Sequence, residues 1–144
     1  MFSKACEYGI RSAIYIAGQS MQSRKVGLKE VAKEIDSPEA YTSKILQKLT
    51  KGNVIISEKG PTGGFTISND SIKTLNLAAI VIAIDGDAIF KGCGLGLKKC
   101  NEKKPCPLHH KFKAVRNDLY NMLTATSIIE LYGKIDDGSG FLKR

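Results

Sequence analysis

At 144 residues, with about 150 expected per domain, the chain is one domain or one small domain with an appendage, which excludes a two-domain enzyme. Its 22 basic and 14 acidic residues leave a formal net charge of +8, so an acidic partner, most simply nucleic acid, is expected. An apolar fraction of 42% and a charged fraction of 25% exclude wholesale disorder and fibrous repeats.

The first predicted element is a helix over residues 4–18, where Ala5, Tyr8, Ile10, Ala13, Ile14 and Ala17 fall largely on one stripe with Lys4, Glu7 and Arg11 off it. Glu7 and Arg11 also interrupt the N-terminal apolar stretch, and no cleavage-site pattern follows it. A secretory leader is therefore not expected, and the chain is expected in the cytoplasm. A polar stretch over 19–27 leads to a short second helix with Leu28, Val31, Ala32 and Ile35 on one face. Asp36-Ser37-Pro38 closes it and opens the third, with Ser37 as cap and Pro38 in the first turn. Tyr41, Ile45, Leu46 and Leu49 form the buried side of that third helix, which Gly52-Asn53 ends.

Two β-favouring runs, Val54 to Ser57 and Phe65 to Ser68, flank a seven-residue stretch rich in glycine, which predicts a hairpin with a basic tip. A polar break over 69–73 follows. Asn76 then caps an apolar helix carrying Leu77, Ile80, Val81 and Ile84, expected to be buried between other elements. Its run from Leu77 to Ile84 is the longest unbroken apolar stretch in the chain and falls far short of a bilayer span, so no membrane partner is expected. Residues 87–106 hold glycines, lysines and three cysteines with no apolar period, and read as a long loop that needs a functional reason. From Pro107 a helix places Leu108, Phe112, Val115, Leu119, Met122 and Thr126 on a heptad seam running over 107–126. Ser127 to Glu130 resembles a capping box for a last short helix.

The expected fold is thus mainly α with a small β-hairpin: a winged helix-turn-helix domain over 1–70, and a second segment over 71–144. That second segment holds the buried helix, the cysteine loop (87–106), a long C-terminal dimerisation helix (107–126) and a short terminal helix. In a winged helix the second helix of the motif enters the major groove and the hairpin reaches the backbone or the minor groove. Thr42, Ser43, Lys44, Gln47 and Lys48 on the third helix, with Lys59 at the wing, are the candidate DNA contacts, offering hydroxyl, amide and ammonium groups to base edges and phosphates. No catalytic constellation is present and no small-molecule substrate is expected. Gly92-Cys93-Gly94-Leu95-Gly96 lacks the strand and helix context of a nucleotide-binding loop.

Cys93, Cys100, Cys106 and His109 place three soft sulfur donors and an imidazole within a short segment. Such donors suit zinc or an iron–sulfur cluster. Four cysteines in a reducing compartment read as metal ligands, redox thiols or core residues rather than structural disulfides. Cys6 reads as a small core residue and His110 as solvent-facing.

Leu28-Lys-Glu-Val-Ala, the Ile-Leu-Gln-Lys-Leu core within Tyr41 to Leu49, and Lys59-Gly-Pro-Thr-Gly-Gly-Phe65 closely resemble the bacterial Rrf2-type regulators. These include an iron–sulfur cluster regulator, a nitric oxide sensor and a cysteine-metabolism regulator, and the resemblance runs from the first helix to about Leu131. It implies a homodimeric winged-helix transcription factor on a partly palindromic double-stranded DNA operator. It also implies that the cysteine loop carries the cofactor. The pattern of three cysteines and a following histidine matches the iron–sulfur cluster regulator, which implies a two-iron two-sulfur cluster on Cys93, Cys100, Cys106 and His109, one that aerobic purification can remove. The first cysteine interval is one residue longer than is common in these relatives, and Glu7 stands where the nitric oxide sensor supplies a carboxylate from the partner subunit. A four-iron four-sulfur cluster, or Glu7 as fourth ligand, stays open. So do a zinc- or thiol-based redox regulator of the same fold, and an iron–sulfur protein that uses the winged helix only to bind a partner.

Overall fold

The computed structural model describes residues 1–143; Arg144, the last residue of the second segment, lies outside them. Helix α1 (Lys4–Met21) starts where Ser3 accepts the Cys6 amide at 3.0 Å, and it buries Cys6, Gly9, Ala13, Ile16 and Ala17. It runs three residues beyond the predicted end. Helix α2 (Leu28–Glu34) and helix α3 (Glu39–Lys51) follow. Asp36 takes a positive φ of 53° between them, a conformation that Asp tolerates better than bulky residues.

Ser37 does not cap α3. Pro38 occupies the cap position without a side-chain bond, and the buried Ser37 Oγ has no hydrogen-bond partner. Ser37 belongs instead to the close of α2, its amide donating to the Ala32 carbonyl at 2.9 Å, and lies one residue before the cap position.

Val54 and Ile55 are buried beneath the hairpin rather than inside it. Strand β1 (Ile56–Glu58) pairs antiparallel with β2 (Gly64–Thr66) in the register Ile56 to Thr66, Ser57 to Phe65 and Glu58 to Gly64. Val26 adds a bridge to Phe65, with N–H···O distances of 3.2 and 2.8 Å, so the wing is anchored to the segment that leads into α2. The 69–73 break is instead a short helix, α4 (Asn69–Thr74), capped by Ser68 and held by the single buried side chain Ile72.

Helix α5 (Leu77–Asp85) begins as predicted, with Asn76 accepting the Ala79 amide at 3.0 Å. It packs on α1 and α3, and Ile80 and Val81 are fully buried. A side chain at Gly9 would lie 2.9 Å from Ile84, and one at Gly52 would meet Ala83 at 2.6 Å. These glycines set how closely α1 and α3 approach α5. The cysteine segment is not wholly loop: Ala88–Lys91 form a short helix, α6.

Helix α7 (His109–Ala125) starts two residues after Pro107, and α8 (Ile128–Asp136) follows under the Ser127 cap. Backbone bonds Leu77 N–H to Thr126 and Ile128 N–H to Leu75 tie the α7–α8 joint to the start of α5. One apolar core runs from Cys6 to Ile128, drawing buried side chains from α1 to α5, α7 and α8.

Candidate metal centre and nucleic-acid interface

On α3 the angular positions separate the candidate DNA contacts. Ser43 is half-buried, while Lys44, Gln47 and Lys48 are exposed, as is Lys59 at the wing tip. Thr42 is a correction. It is fully buried, and its hydroxyl donates to the Pro38 carbonyl at 2.9 Å. It shares the inward stripe of Ile45, Leu46 and Leu49 at spacings of three, four and seven, so it belongs to the core and cannot touch DNA. Lys48 has a second engagement: Nζ donates to the Ile84 carbonyl at 3.2 Å, joining the recognition helix to the last turn of α5.

The wing turns back where Gly60 has φ of 99° and Gly64 of 144°, in the region where glycine alone is unstrained. Lys25 pairs with Glu58 at its base.

The cysteine segment sorts into two pairs. Cys93 Sγ lies 3.8 Å from Cys106 Sγ, and Cys100 Sγ lies 3.3 Å from His109 Nδ1. Among the described residues no group of three or more His, Cys, Asp or Glu closes to metal-holding geometry. All four cysteines are free thiols; the three in the loop are partly exposed and Cys6 is buried.

The loop is strapped to one face of α7. The His109 amide donates to the Cys106 carbonyl at 3.0 Å, Lys113 pairs with Glu102, and Arg116 donates to the Gly92 carbonyl and, at 3.4 Å, to Cys100 Sγ. The helical spacing 109, 113, 116 puts these three on one side. Gly94 sits flat on the Phe112 ring, where a side chain would collide.

Sequence reasoning missed Arg116. The signal that could have found it is its position seven residues after His109, on the same helical face and facing the loop.

Charge and hydrogen bonding favour thiolate at Cys93. The Leu95 amide (3.4 Å from Sγ) and then the Leu97 amide hold its pKa below the ordinary thiol value, with Cys106 and Arg116 adding to the shift. Cys6 is the opposite case: burial, with Asp85 and Glu7 behind it, pushes its pKa up to about 12, so it is an inert core thiol. Glu7 is on the exposed side of α1, paired to Lys4 at 2.9 Å, and that bond lowers its pKa. His109 is buried, and its Nε2 has no protein partner; His110 is exposed beside it. Nδ1 is the ring nitrogen that faces Cys100 Sγ, and the unpaired buried Nε2 costs about 1–3 kcal/mol.

The two-stranded wing, the paired helices and a recognition helix with an exposed amide-and-ammonium face define a winged helix-turn-helix protein. A family model described as the iron-dependent transcriptional regulators, Rrf2, matches residues 2–134, and the chain belongs to that family. A protein of Aquifex aeolicus assigned as an HTH-type transcriptional regulator is 30% identical over 134 residues, covering 91% of this chain and 90% of that protein.

Among solved structures, the global cysteine regulator CymR of B. subtilis has a TM-score of 0.72 at 16% identity, covering 92% of this chain and 96% of CymR. IscR of T. potens has a TM-score of 0.74 at 14% identity, covering 98% and 92%. The family's members are transcription regulators rather than enzymes. No helix among the described residues is long and apolar enough to cross a membrane.

Proposed function

We propose that this regulator acts in the cytoplasm as a homodimer whose affinity for a double-stranded operator is set by an iron–sulfur cluster. The ligands are Cys93, Cys100, Cys106 and His109, and a two-iron two-sulfur cluster is favoured over a four-iron one. The observation that carries this reading is the pairing of all four donors across one loop, Cys93 with Cys106 and Cys100 with His109, on a helix face that holds the loop at both ends. The donor set fits: three thiols, one of them held toward thiolate by loop amides, and a buried imidazole whose Nδ1 faces one of those thiols and whose Nε2 has no protein partner. A net +7 over residues 91–116 offsets the negative charge that thiolate ligation brings.

When bound, the cluster supplies a centre that changes charge on reduction and is open to loss or modification by oxidants and nitric oxide. The chain's own residues carry the coupling. Arg116 holds the loop entry at Gly92 and the middle at Cys100, while Lys48 joins α3 to the α5 turn that leads into the loop. A loop that changes its hold on α7 or α5 therefore biases the spacing of two recognition helices, and with it operator affinity.

Residues 1–70 serve as the DNA-binding unit, with Ser43, Lys44, Gln47, Lys48 and Lys59 as its contacts, and 71–144 as the sensing and dimerising unit. Leu108, Phe112, Val115 and Met122 leave the α7 seam exposed on the single chain, the face a second α7 covers. The same donor set suits tetrahedral zinc, which gives no visible colour.

The deciding experiment is anaerobic reconstitution with ferrous iron and sulfide, followed by absorption spectroscopy, metal analysis and operator binding. Expected are visible absorption bands, about two iron and two sulfide per chain, and their loss in Cys106→Ala. A colourless product, or bound zinc alone, overturns the cluster. A monomer at micromolar concentration by sedimentation overturns the dimer.

A further inference from the structure

We propose that Cys93 and Cys106 form an oxidation site in their own right: when the loop holds no metal, they close to an intramolecular disulfide, and Cys100 stays a thiol. The inference rests on the assignment of these thiols to the cofactor loop, because disulfide and cluster use the same two sulfurs and exclude one another. Its basis is geometric. The two Sγ atoms already lie 3.8 Å apart, and a disulfide needs about 2.05 Å. The remaining approach is within the reach of side-chain rotation in a segment with no regular structure between Gly92 and Leu108. Both sulfurs are partly exposed, so a small oxidant can reach them.

Cys100 is engaged elsewhere. Its Sγ faces His109 Nδ1 at 3.3 Å and receives Arg116 Nη2 at 3.4 Å, both from α7. Sequence spacing alone would favour Cys100–Cys106, the nearer neighbours in the chain; the fold selects the more distant pair.

The oxidant is a low-molecular-weight disulfide of the glutathione class. Cys93 loses its proton and attacks one sulfur of that disulfide, whose S–S bond breaks and releases one thiolate that takes up a proton. Cys106, also deprotonated, then attacks the Cys93 sulfur of the mixed disulfide and expels the second small thiolate, which is protonated in turn. Two protein thiols are oxidised, one small disulfide is reduced to two thiols, and two protons pass from protein to product. The product staples the loop entry to the residue whose carbonyl receives the first amide of α7.

The test uses the full chain, metal-free and reduced, incubated with glutathione disulfide, quenched in acid, alkylated and digested with trypsin. Lys99 and Lys103 place Cys100 on a different peptide from Cys93 and from Cys106, so mass mapping assigns the bond. Expected are a fall from four free thiols to two in denaturant, a Cys93–Cys106 cross-linked peptide pair lighter by two hydrogens, and alkylated Cys100. Cys100→Ser should keep the cross-link and Cys93→Ser should lose it. Arrest at glutathione adducts, chain-to-chain disulfides, a bond that includes Cys100, or no oxidation overturns the proposal.

A parallel aliquot reconstituted with iron and sulfide separates the two ideas. Absorption without a cross-link in the metal-free sample defeats the disulfide alone. A cross-link without absorption in the reduced, reconstituted sample defeats the cluster alone.

Discussion

Thr42→Val distinguishes a core residue from a DNA contact on the recognition helix. The substitution keeps the branched shape and deletes one hydroxyl that donates to the Pro38 carbonyl at 2.9 Å. That carbonyl also receives the Thr42 amide at 2.9 Å, so no buried acceptor is orphaned. The loss is then that of one net hydrogen bond, about 0.5–1.5 kcal/mol, partly offset by a methyl group placed in the core. A net cost of about 1 kcal/mol in a chain of this size lowers the melting temperature by about 2–4 °C. Operator affinity below that temperature should be unchanged, because the side chain has no exposed surface to offer a base or phosphate.

Lys44→Ala is the complementary variant. It should leave the melting temperature in place and reduce the slope of log K against log salt by about 0.9 for each phosphate contact removed. Circular dichroism melts and fluorescence anisotropy over a salt series read both quantities on both proteins. If Thr42→Val keeps its melting temperature but weakens operator binding by about tenfold, the geometric assignment of Thr42 to the core fails.

Three further outcomes are expected. Leu123 is the fully buried apolar anchor of α7, so Leu123→Ala should cost about 2–5 kcal/mol in chemical denaturation; a cost below about 1 kcal/mol would mean that α7 is not held by the core. Arg116→Ala removes hydrogen bonds to Gly92 and Cys100, and at about 0.5–1.5 kcal/mol each the Gly96 and His109 amides should exchange with solvent about tenfold faster, while an unchanged rate would leave Arg116 without a role in the loop. Cys6 contributes to the alkaline pH dependence together with Tyr15, whose pKa burial and the Glu30 hydrogen bond also push up to about 12. The folded pKa of Cys6 is raised to about 12, so its contribution to stability is present below the ordinary thiol value of 9.0 and is lost as pH rises from there to about 12. Cys6→Ala should reduce the alkaline loss, most clearly between pH 9.0 and 10.0 where Tyr15 does not yet contribute, and a wild-type-like alkaline profile for the variant would assign the loss to other groups.

Local chemistry made much of the fold legible. Asn76 and Ser127 cap α5 and α8 where the sequence places them, because a cap is a bond between a side chain and an amide three residues on. The buried faces of α2, α3 and α5 follow from apolar spacing alone. Helix α4 is not legible in the sequence because it is short and polar, with Ile72 as its one inward anchor, too little to make a period. The chemical type of Thr42 suggests a DNA contact, while its position beside Ile45, Leu46 and Leu49 turns it inward. Ser37 does not cap because α3 starts one residue later, with Pro38 in the cap position.

The long helices and the wing, the identity of the donor residues and the concentration of positive charge about the cysteines are legible in the sequence alone, since each depends on residue type and short-range spacing; the short α4 and α6 are not. Which donors face one another is a matter of tertiary packing. Cys93 meets Cys106 and Cys100 meets His109 because residues up to sixteen positions beyond Cys100 reach back to grip the loop, with Arg116 at its centre. Such partners are set by the packing of α7 against α5 and α6, and chain spacing carries no record of that packing.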